Sequence, residues 1–343
     1  MFGRSSAKPI KVEVFAKTDL GRTRDHNEDR FLVADLSRRE ASLQAAVRVH
    51  EIGERGSLFV VADGMGGAAA GELASQMATD TIYQQMVRAW GSEREVTAQR
   101  FAYRLKEAVE VANQQIHTYA AAHPEVRGMG TTTTAVGVLA DHFFLTHVGD
   151  SRAYLIRNGQ AVQLTRDQSL MQRLVEAGEL TEEEAARSER RNIILQALGP
   201  DARVKVDLTH QEVRKGDILV LCSDGLTGTV KKEEIAAVAT RDRDLQAACD
   251  RLIALANERG GPDNITVVLA RFDGEGLRAP EPNGEMGYQV YPLIDTETST
   301  EPVPVYRGSP APEPAARNRR RTIVLLCIAA AAALALYLVN RSQ

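Results

Sequence analysis

Two stretches of this sequence carry an aspartate at the end of an apolar run, and both aspartates are followed by glycine. Asp63 follows the apolar residues 58–62, and Asp224 follows residues 219–223. A buried strand is a rigid support, so a carboxylate at its end is held at a fixed point. The glycines leave room for an ion or a phosphate to approach carboxylate and backbone together. One Asp-Gly pair is typical of a turn, but its repetition favours a metal site.

Four further acids stand immediately before predicted strands or in glycine-containing loops: Glu28, Asp29, Asp150 and Asp263. A set of carboxylates without cysteine or histidine suits Mg²⁺ or Mn²⁺ and disfavours zinc or copper. Arg24 lies just before the first pair, and a guanidinium can hold a phosphate through two parallel hydrogen bonds. The set predicts metal-assisted hydrolysis of a phosphoester. The polar run 22–29 is also compatible with a plain solvated loop.

Periodicity predicts the elements that must position these residues. Alternating or continuous apolar patterns predict antiparallel strands at residues 10–15, 58–62, 131–138, 143–148, 153–156, 161–164, 217–223 and 265–272. Apolar residues at helical spacing predict helices around residues 73–86, 101–119 and 245–256. Strands 131–164 are joined by tight turns and predict a meander, interrupted by a loop at residues 149–152. Helices on one side of many antiparallel strands predict an α+β fold.

Two polar stretches have weaker patterns. Residues 37–57 are charged and weakly helical, which predicts a surface excursion before the Asp63 strand. Residues 167–186 are predicted to be helical, with Thr181 and Glu184 spaced as a capping box. Because this second stretch is strongly polar, we interpret it as a candidate mobile flap.

Composition excludes several classes of protein. The chain of 343 residues has a formal net charge of −4, which disfavours a general nucleic-acid binder. Its three cysteines are far apart and have no zinc-binding spacing, which favours a reducing compartment without structural disulfides. The amino terminus has no apolar core, so it is not interpreted as a secretory signal.

The sequence after the predicted domain indicates a linker and a membrane anchor. A flexible segment 1–9 and a domain 10–273 would be followed by an acidic linker 274–316, which contains 8 of the 12 prolines and is predicted to be disordered. Residues 322–339 are apolar and uncharged, which predicts a transmembrane helix. Four arginines lie in the flank 317–321 and only Arg341 follows the span, which predicts a cytoplasmic domain at the bilayer surface.

The polar motifs together resemble one family, the PP2C-type (PPM) serine/threonine phosphatases, and the bacterial members most. The motifs stand in the family's order between residues 10 and 272: residues 24–29, 61–67, 130–132, 148–152, 223–226 and 263–266. The resemblance implies a four-layer αββα sandwich of two antiparallel sheets flanked by helices. It implies that the substrates are phosphorylated proteins, plausibly a serine/threonine kinase and its targets.

The resemblance also assigns roles to residues. It implies two Mn²⁺ or Mg²⁺ ions and a third, weaker one, held by Glu28, Asp29, Asp63, Gly64, Asp150, Asp224 and Asp263. Asp63 would bridge two ions, Glu28 would act through bound water, and Asp150 would serve the third ion. Arg24 would bind the substrate phosphate, and the stretch after Asp167 corresponds to the family's flap.

One position departs from some members of the family. Those members have a histidine directly after the Asp-Gly pair and use it to protonate the leaving group, whereas this chain has Met65. The donor would then be water at the Asp150 ion or, as an alternative, His26. Two other readings compete with an active enzyme: a phosphoprotein-binding pseudoenzyme and a membrane scaffold.

Overall fold

The computed structural model describes residues 8–281, except Asp242, and residues 284–293. Thirteen strands lie in this described part: β1 (Lys11–Asp19), β2 (Asp29–Asp35), β3 (Glu40–Ser42), β4 (Arg48–Glu51), β5 (Ser57–Met65), β6 (Gly130–Thr131), β7 (Thr133–Leu139), β8 (His142–Val148), β9 (Arg152–Arg157), β10 (Gln160–Gln163), β11 (Asp207–Glu212), β12 (Ile218–Cys222) and β13 (Ile265–Asp273).

Seven α-helices lie in the same part of the chain: α1 (Ala68–Arg88), α2 (Ala98–Ala122), α3 (Leu170–Glu176), α4 (Glu182–Arg187), α5 (Asp224–Thr227), α6 (Lys232–Arg241) and α7 (Leu245–Glu258). The three predicted long helices are confirmed as α1, α2 and α7. The flap stretch forms two short helices, α3 and α4, instead of one. The capping box of Thr181 and Glu184 is confirmed at the start of α4.

The strands form two antiparallel sheets. Sheet A has the order β10-β9-β12-β13-β1-β4, and sheet B has the order β11-β8-β7-β5-β2-β3, with β6 paired to β5. Alternation along β5 shows how the layers meet. Leu58 and Val60 pack with α1 and α2 on the outer face of sheet B, whereas Phe59 and Val61 pack between the sheets.

Helices cover both outer faces. The apolar residues of α1 and α2 join sheet B in one core, and those of α6 and α7 join sheet A in another. The prediction of helices on one side, drawn from periodicity, is therefore wrong: the predicted helix α7 packs on sheet A, whereas α1 and α2 pack on sheet B, and periodicity within a helix does not show which sheet it covers. The two-sheet sandwich with flanking helices, implied by the family resemblance, is confirmed.

The chain crosses between the sheets at one end of the sandwich. Residues 20–28 lead from β1 in sheet A to β2 in sheet B, and residues 149–151 lead from β8 in sheet B to β9 in sheet A. The predicted meander of strands 131–164 is wrong in this respect, because it divides between the two sheets at residues 149–151. The crossings bring polar loops from both sheets to the same edge.

Residues 37–57, which were predicted as a weakly helical surface excursion, have a different secondary structure. Residues 37–57 contain no helix and instead form two short strands, β3 beside β2 in sheet B and β4 beside β1 in sheet A. The polar strand β11 was not predicted either. Short edge strands have few apolar residues, so their alternation is weak in the sequence.

Part of the stretch predicted as a disordered linker packs on the domain. Leu277 is 7% exposed and lies in the core between the sheets. Tyr291 and Leu293 pack against the core of sheet B. We call residues 284–293 the strap. The ordered part of the chain therefore extends beyond residue 273, up to Leu293 in the described residues.

The remaining predictions about the two chain ends fall on residues 1–7 and 294–343. These lie outside the described residues, and the predicted span 322–339 and Cys327 are among them. Within the part of the chain that the structure describes, no helix is long and apolar enough to cross a bilayer.

Candidate active site

Two of the predicted acids are direct neighbours across a strand pair. Asp29 begins β2 and is the register partner of Asp63 near the end of β5. Phe31 and Val33 in β2 pack between the sheets, so by strand alternation Asp29 points to the same space. The equivalent alternation of Phe59 and Val61 carries Asp63 there. Both carboxylates therefore emerge at the mouth of the cleft between the two sheets.

Asp29 is 5% exposed, and only one of its oxygens is satisfied. The Ser223 hydroxyl donates to Asp29 Oδ2 over 2.7 Å, while Oδ1 is buried without a hydrogen-bond partner in the structure. Burial raises the pKa of Asp29 to about 7, and the charges of Asp224 and Asp263 add to the shift. An unsatisfied buried oxygen of this kind needs a cation or a proton.

Asp63 and Asp224 come from opposite sheets and lie close enough for the charge of Asp224 to act on Asp63. Burial, and then the charges of Asp29, Asp224 and Asp150, raise the pKa of Asp63 well above its usual range. Burial and the charge of Asp263 raise the pKa of Asp224 to about 6.

Asp150 lies in the crossing loop after β8. It is 7% exposed, and its Oδ1 is buried without a partner in the structure. Burial raises its pKa to about 8, and the charge of Asp224 acts in the same direction. Gly149 precedes it with φ of 110° and is packed against Thr132, where a side chain would not fit. The tight turn at this glycine directs Asp150 toward the other acids.

Arg24 and Asp263 are paired in the structure. Arg24 Nη2 donates to Asp263 Oδ2 over 2.7 Å, and the arginine side chain is 49% exposed. The guanidinium is thus at the rim of the acid cluster, where part of it is open to solvent. The two predicted roles, phosphate binding and metal ligation, meet in this one ion pair.

Glu28 stands apart from the five aspartates. Its carboxylate lies against Gly71 in the first turn of α1, where any side chain would overlap it, and burial raises its pKa. Gly64 approaches the Gly71 backbone equally closely, and its amide donates to the Glu28 carbonyl over 3.2 Å. Side chains at either glycine would push α1 away from β5. Glu28 is therefore placed beside the cluster without joining it directly.

Several residues that support the acids were not predicted. The Asn264 side chain accepts from the Glu28 amide at 2.9 Å and donates to the carbonyls of Leu20 and His26 at 2.9 Å each. It thereby fixes the loop that carries Arg24. Asparagine is common in loops, so its presence beside Asp263 gave no distinct signal.

The backbone of Asp63 is fixed in a similar way by a run of threonines. Thr131 Oγ1 donates to the Asp63 carbonyl over 2.9 Å, and the Asp63 amide donates to Thr132 Oγ1 over 3.1 Å. The aspartate that stands at the centre of the cluster is thus held by its main chain, which leaves its carboxylate available.

A divalent ion fits this donor set, although the acids do not yet surround a single point. Among the described residues, no three acidic, histidine or cysteine side chains are already arranged as a metal site. The fit rests instead on three buried carboxylate oxygens without partners, in Asp29, Asp150 and Asp224. Their hard oxygen donors suit Mn²⁺ or Mg²⁺. Because carboxylate ligands must be ionised, metal binding competes with the protonation that the raised pKa values of Asp63 and Asp224 favour.

Comparisons with known proteins all identify the same family. The sequence profile described as Protein phosphatase 2C matches residues 37–269. The "Serine/threonine phosphatase stp" of Listeria monocytogenes is 36% identical over 258 residues, which cover 75% of this chain and 94% of that protein. "Serine/threonine protein phosphatase PstP" of Mycobacterium tuberculosis is 38% identical over 255 residues, 74% of this chain and 44% of its own.

Solved structures agree with the sequence comparison. Stp1 from Staphylococcus aureus is 33% identical, with a TM-score of 0.67 over 79% of this chain and 99% of that one. The catalytic domain of PstP, in complex with two manganese ions, is 34% identical, with a TM-score of 0.62 over 77% of this chain and 99% of that one. The prediction of Mn²⁺ or Mg²⁺ as the cofactor is therefore confirmed for this family of phosphatases.

Proposed function

This chain belongs to the protein phosphatase 2C family of metal-dependent serine/threonine phosphatases, and we propose that it dephosphorylates phosphoserine and phosphothreonine on proteins at the cytoplasmic face of a membrane. The observation that carries the catalytic part is the set of partnerless buried oxygens in Asp29, Asp150 and Asp224. These lie beside an arginine that reaches the same rim.

The roles of the chain's own residues follow from this geometry. Asp29, Asp63, Asp224 and Asp263 would hold two ions, with Asp150 contributing to a third. When bound, two Mn²⁺ or Mg²⁺ ions would supply an acidified water for hydrolysis of the phosphoester.

Arg24 orients the phosphate. Its guanidinium is anchored at Asp263, so it presents its remaining N–H groups from a fixed direction. Asn264 and the threonines behind Asp63 hold the loop and the strand end in place, so little reorganisation is needed when substrate binds. Met65 has no proton to donate to the leaving oxygen.

The catalytic proposal is tested on the full chain with a phosphothreonine peptide. We expect turnover with Mn²⁺ and none with EDTA. Arg24→Ala should raise KM about tenfold or more, because a charge-assisted phosphate contact is lost. Arg22→Ala is the matched control, since Arg22 is exposed in the same loop. A folded, Mn²⁺-binding chain without turnover would support the pseudoenzyme instead.

The membrane part of the proposal is supported by residues 317–343 of the sequence. The uncharged apolar run 322–339 is long enough to span hydrocarbon, and the arginines before it favour a cytoplasmic domain. Two charges in the middle of the run would each cost about 2.5–3.5 kcal/mol of insertion free energy.

Fractionation of cells tests this placement. The full chain is expected in the membrane pellet after a carbonate wash, and Ala330→Arg with Ala332→Arg is expected in the supernatant. Ser342→Arg, outside the run, is the matched control. Recovery of the unaltered chain in the supernatant would contradict the anchor.

A membrane-bound serine/threonine kinase and its targets are the partners we propose. Tethering raises the local concentration of partners on the same surface without any new contact. Phosphorylated membrane proteins should therefore lose phosphate faster with the full chain than with the double-arginine variant, at equal turnover of a free peptide. If the full chain and the double-arginine variant dephosphorylate the membrane proteins at the same rate, as they do the free peptide, tethering has no role.

A further inference from the structure

The strap, residues 284–293, continues sheet B beyond its last strand. The His210 amide donates to the Gln289 carbonyl over 2.9 Å, and the Tyr291 amide donates to the Leu208 carbonyl over 3.0 Å. Thr209 and Val290 form an antiparallel bridge between them. The strap thus pairs with β11 in register, although the family match ends at residue 269.

Side chains fix the strap at both ends of this pairing. The Gln211 amide group donates to the Glu285 carbonyl and accepts from the Gly287 amide, at 3.1 and 3.2 Å. The Tyr291 ring packs edge-on against Phe144, with centroids 5.2 Å apart. Backbone pairing, a side-chain clamp and an aromatic contact together indicate a specific seat for the strap.

Tyr288 connects the strap to the catalytic end. Its ring lies under the Arg166 guanidinium, with 4.4 Å between the Arg166 Cζ atom and the ring centroid. Burial, and then the charge of Asp207, the first residue of β11, raise the pKa of Tyr288 to about 12. Arg166 directly precedes the stretch that leads into the flap.

Three contacts hold the loop of Asp150, and two of them come from Gln168, two residues after Arg166. The buried His147 ring bonds the Gly149 carbonyl over 3.0 Å. Gln168 bonds Gly149 twice: its amide donates to the Gly149 carbonyl over 2.7 Å, and its side-chain oxygen accepts from the Gly149 amide at 3.1 Å. The residue before Asp150 is thus fixed by the residues that follow Arg166.

We propose that Tyr288 is a positioning residue for the phosphatase reaction, which holds Arg166 and through it the Gly149–Asp150 turn and the base of the flap. None of its contacts described above is with the acid cluster, so it acts through Arg166 and, two residues further on, Gln168. A segment outside the family's matched range therefore sets the geometry of a residue inside the active site.

Hydrogen–deuterium exchange on the full chain without added metal tests the positioning directly. Tyr288→Ala should speed exchange of the Gly149 and Gln168 amides about tenfold, since the cation–π contact that restrains Arg166 is lost. Tyr288→Phe keeps the ring over Arg166 and should restore most of the protection. Val290→Ala, in the same strap with a side chain 65% exposed, is the matched control.

Turnover of a phosphothreonine peptide with Mn²⁺ gives the second measurement. Tyr288→Ala should lower kcat about five- to tenfold with KM within about twofold, because Arg24 is unaffected while the Asp150 turn loosens. This readout rests on the proposed function, whereas amide exchange does not. If the unaltered chain shows no turnover, the proposed function is refuted. Amide exchange then still tests the positioning role of Tyr288.

If Tyr288→Ala does not fold, the variant Arg166→Gln tests the same contact from its other side. It should give the same changes in exchange and kcat, and the double variant should add nothing further. The proposal is overturned if the His210 and Tyr291 amides exchange faster in Tyr288→Ala while those of Gly149 and Gln168 do not. It is equally overturned if Arg166→Gln leaves exchange and kcat unchanged.

Discussion

The two ends of β12 carry two aspartates in opposite situations. Asp217, just before the strand, is 0% exposed and fully satisfied: Arg157 Nε and Nη2 donate to its two oxygens at 2.9 and 2.7 Å, and the Arg214 amide donates at 2.7 Å. Asp224, just after the strand, has a buried oxygen without a partner in the structure and a raised pKa.

The difference shows that burial of a carboxylate does not by itself mark a functional site. At Asp217, each oxygen has a donor and an arginine neutralises the charge, which is a structural arrangement. At the other end, several acids face one another and leave oxygens unused. What marks the functional end is therefore an incomplete set of partners, and the following experiments test that distinction.

The largest effect is expected from Asp63→Asn at the incomplete end. Removing the charge at the centre of the cluster should lower kcat/KM at least about a thousandfold, because several kcal/mol of metal-derived stabilisation is lost. Thermal unfolding should show a stable protein, since the variant also removes repulsion among the acids. Asp25→Asn, at an exposed position of the same region, is the control. Near-normal turnover in Asp63→Asn would show that the cluster is not the catalytic site.

Asp217→Asn should show the reverse pattern. It leaves the Arg157 charge buried without its partner, which should lower the free energy of unfolding by about 3–5 kcal/mol. Denaturant titration measures this loss. The kcat of the folded protein should stay within about twofold, because no metal ligand is changed. A loss of turnover without a loss of stability would remove the contrast between the two ends.

Asp150→Ala is expected to have an intermediate effect. Turnover of a phosphopeptide should fall about ten- to a hundredfold, because one ligand is removed and the two-ion set is kept. Titration with Mn²⁺ should show loss of the weakest binding event only. Unchanged turnover at saturating Mn²⁺ would exclude a catalytic third ion.

The smallest effect concerns pH. The pKa values of Asp29, Asp224 and Asp150 are raised to about 7, 6 and 8. Because the folded state holds these protons more tightly than the unfolded state does, the stabilisation is full below the unfolded pKa and is lost as pH rises through the folded values. In EDTA, Tm should fall by about 2–5 °C between pH 6 and pH 8.

Asp29→Asn serves as the check on this pH effect. It removes one titrating group of the cluster, so the fall in Tm over the same interval should become smaller. A Tm that rises from pH 6 to pH 8 in EDTA would mean that the acids do not repel one another in the folded chain.

The sequence predicted the catalytic end better than the rest of the fold, for a physical reason. Strand β5 and the strand before Asp224 are continuous apolar runs, so their ends and the acids that follow them are visible in the residue pattern. The acid roles came from the motif order of the family. The pairing of Arg24 with Asp263 was not foreseen, because it joins residues 239 positions apart.

The errors lie where tertiary contacts override local pattern. Strands β8 and β9 are both apolar in the sequence, and they belong to different sheets. The residue pattern of 149–151 does not indicate that the chain passes from one sheet to the other there. The strap was predicted as disordered because it lies in the segment 274–316, whose prolines, glycines and glutamates give it the composition of a linker. Its order depends on Gln211, Phe144 and Arg166, which are distant in the sequence.

The strap also covers one edge of sheet B. Strand β11 is the edge strand on that side, with β3 at the opposite edge, and an uncovered edge strand presents unpaired N–H and C=O groups to any neighbouring chain. A shortened protein that ends with β13 would lack this cover. Because such an edge can template pairing between molecules, dimers or aggregates of the shortened protein would reflect the missing cover and not a natural oligomeric state.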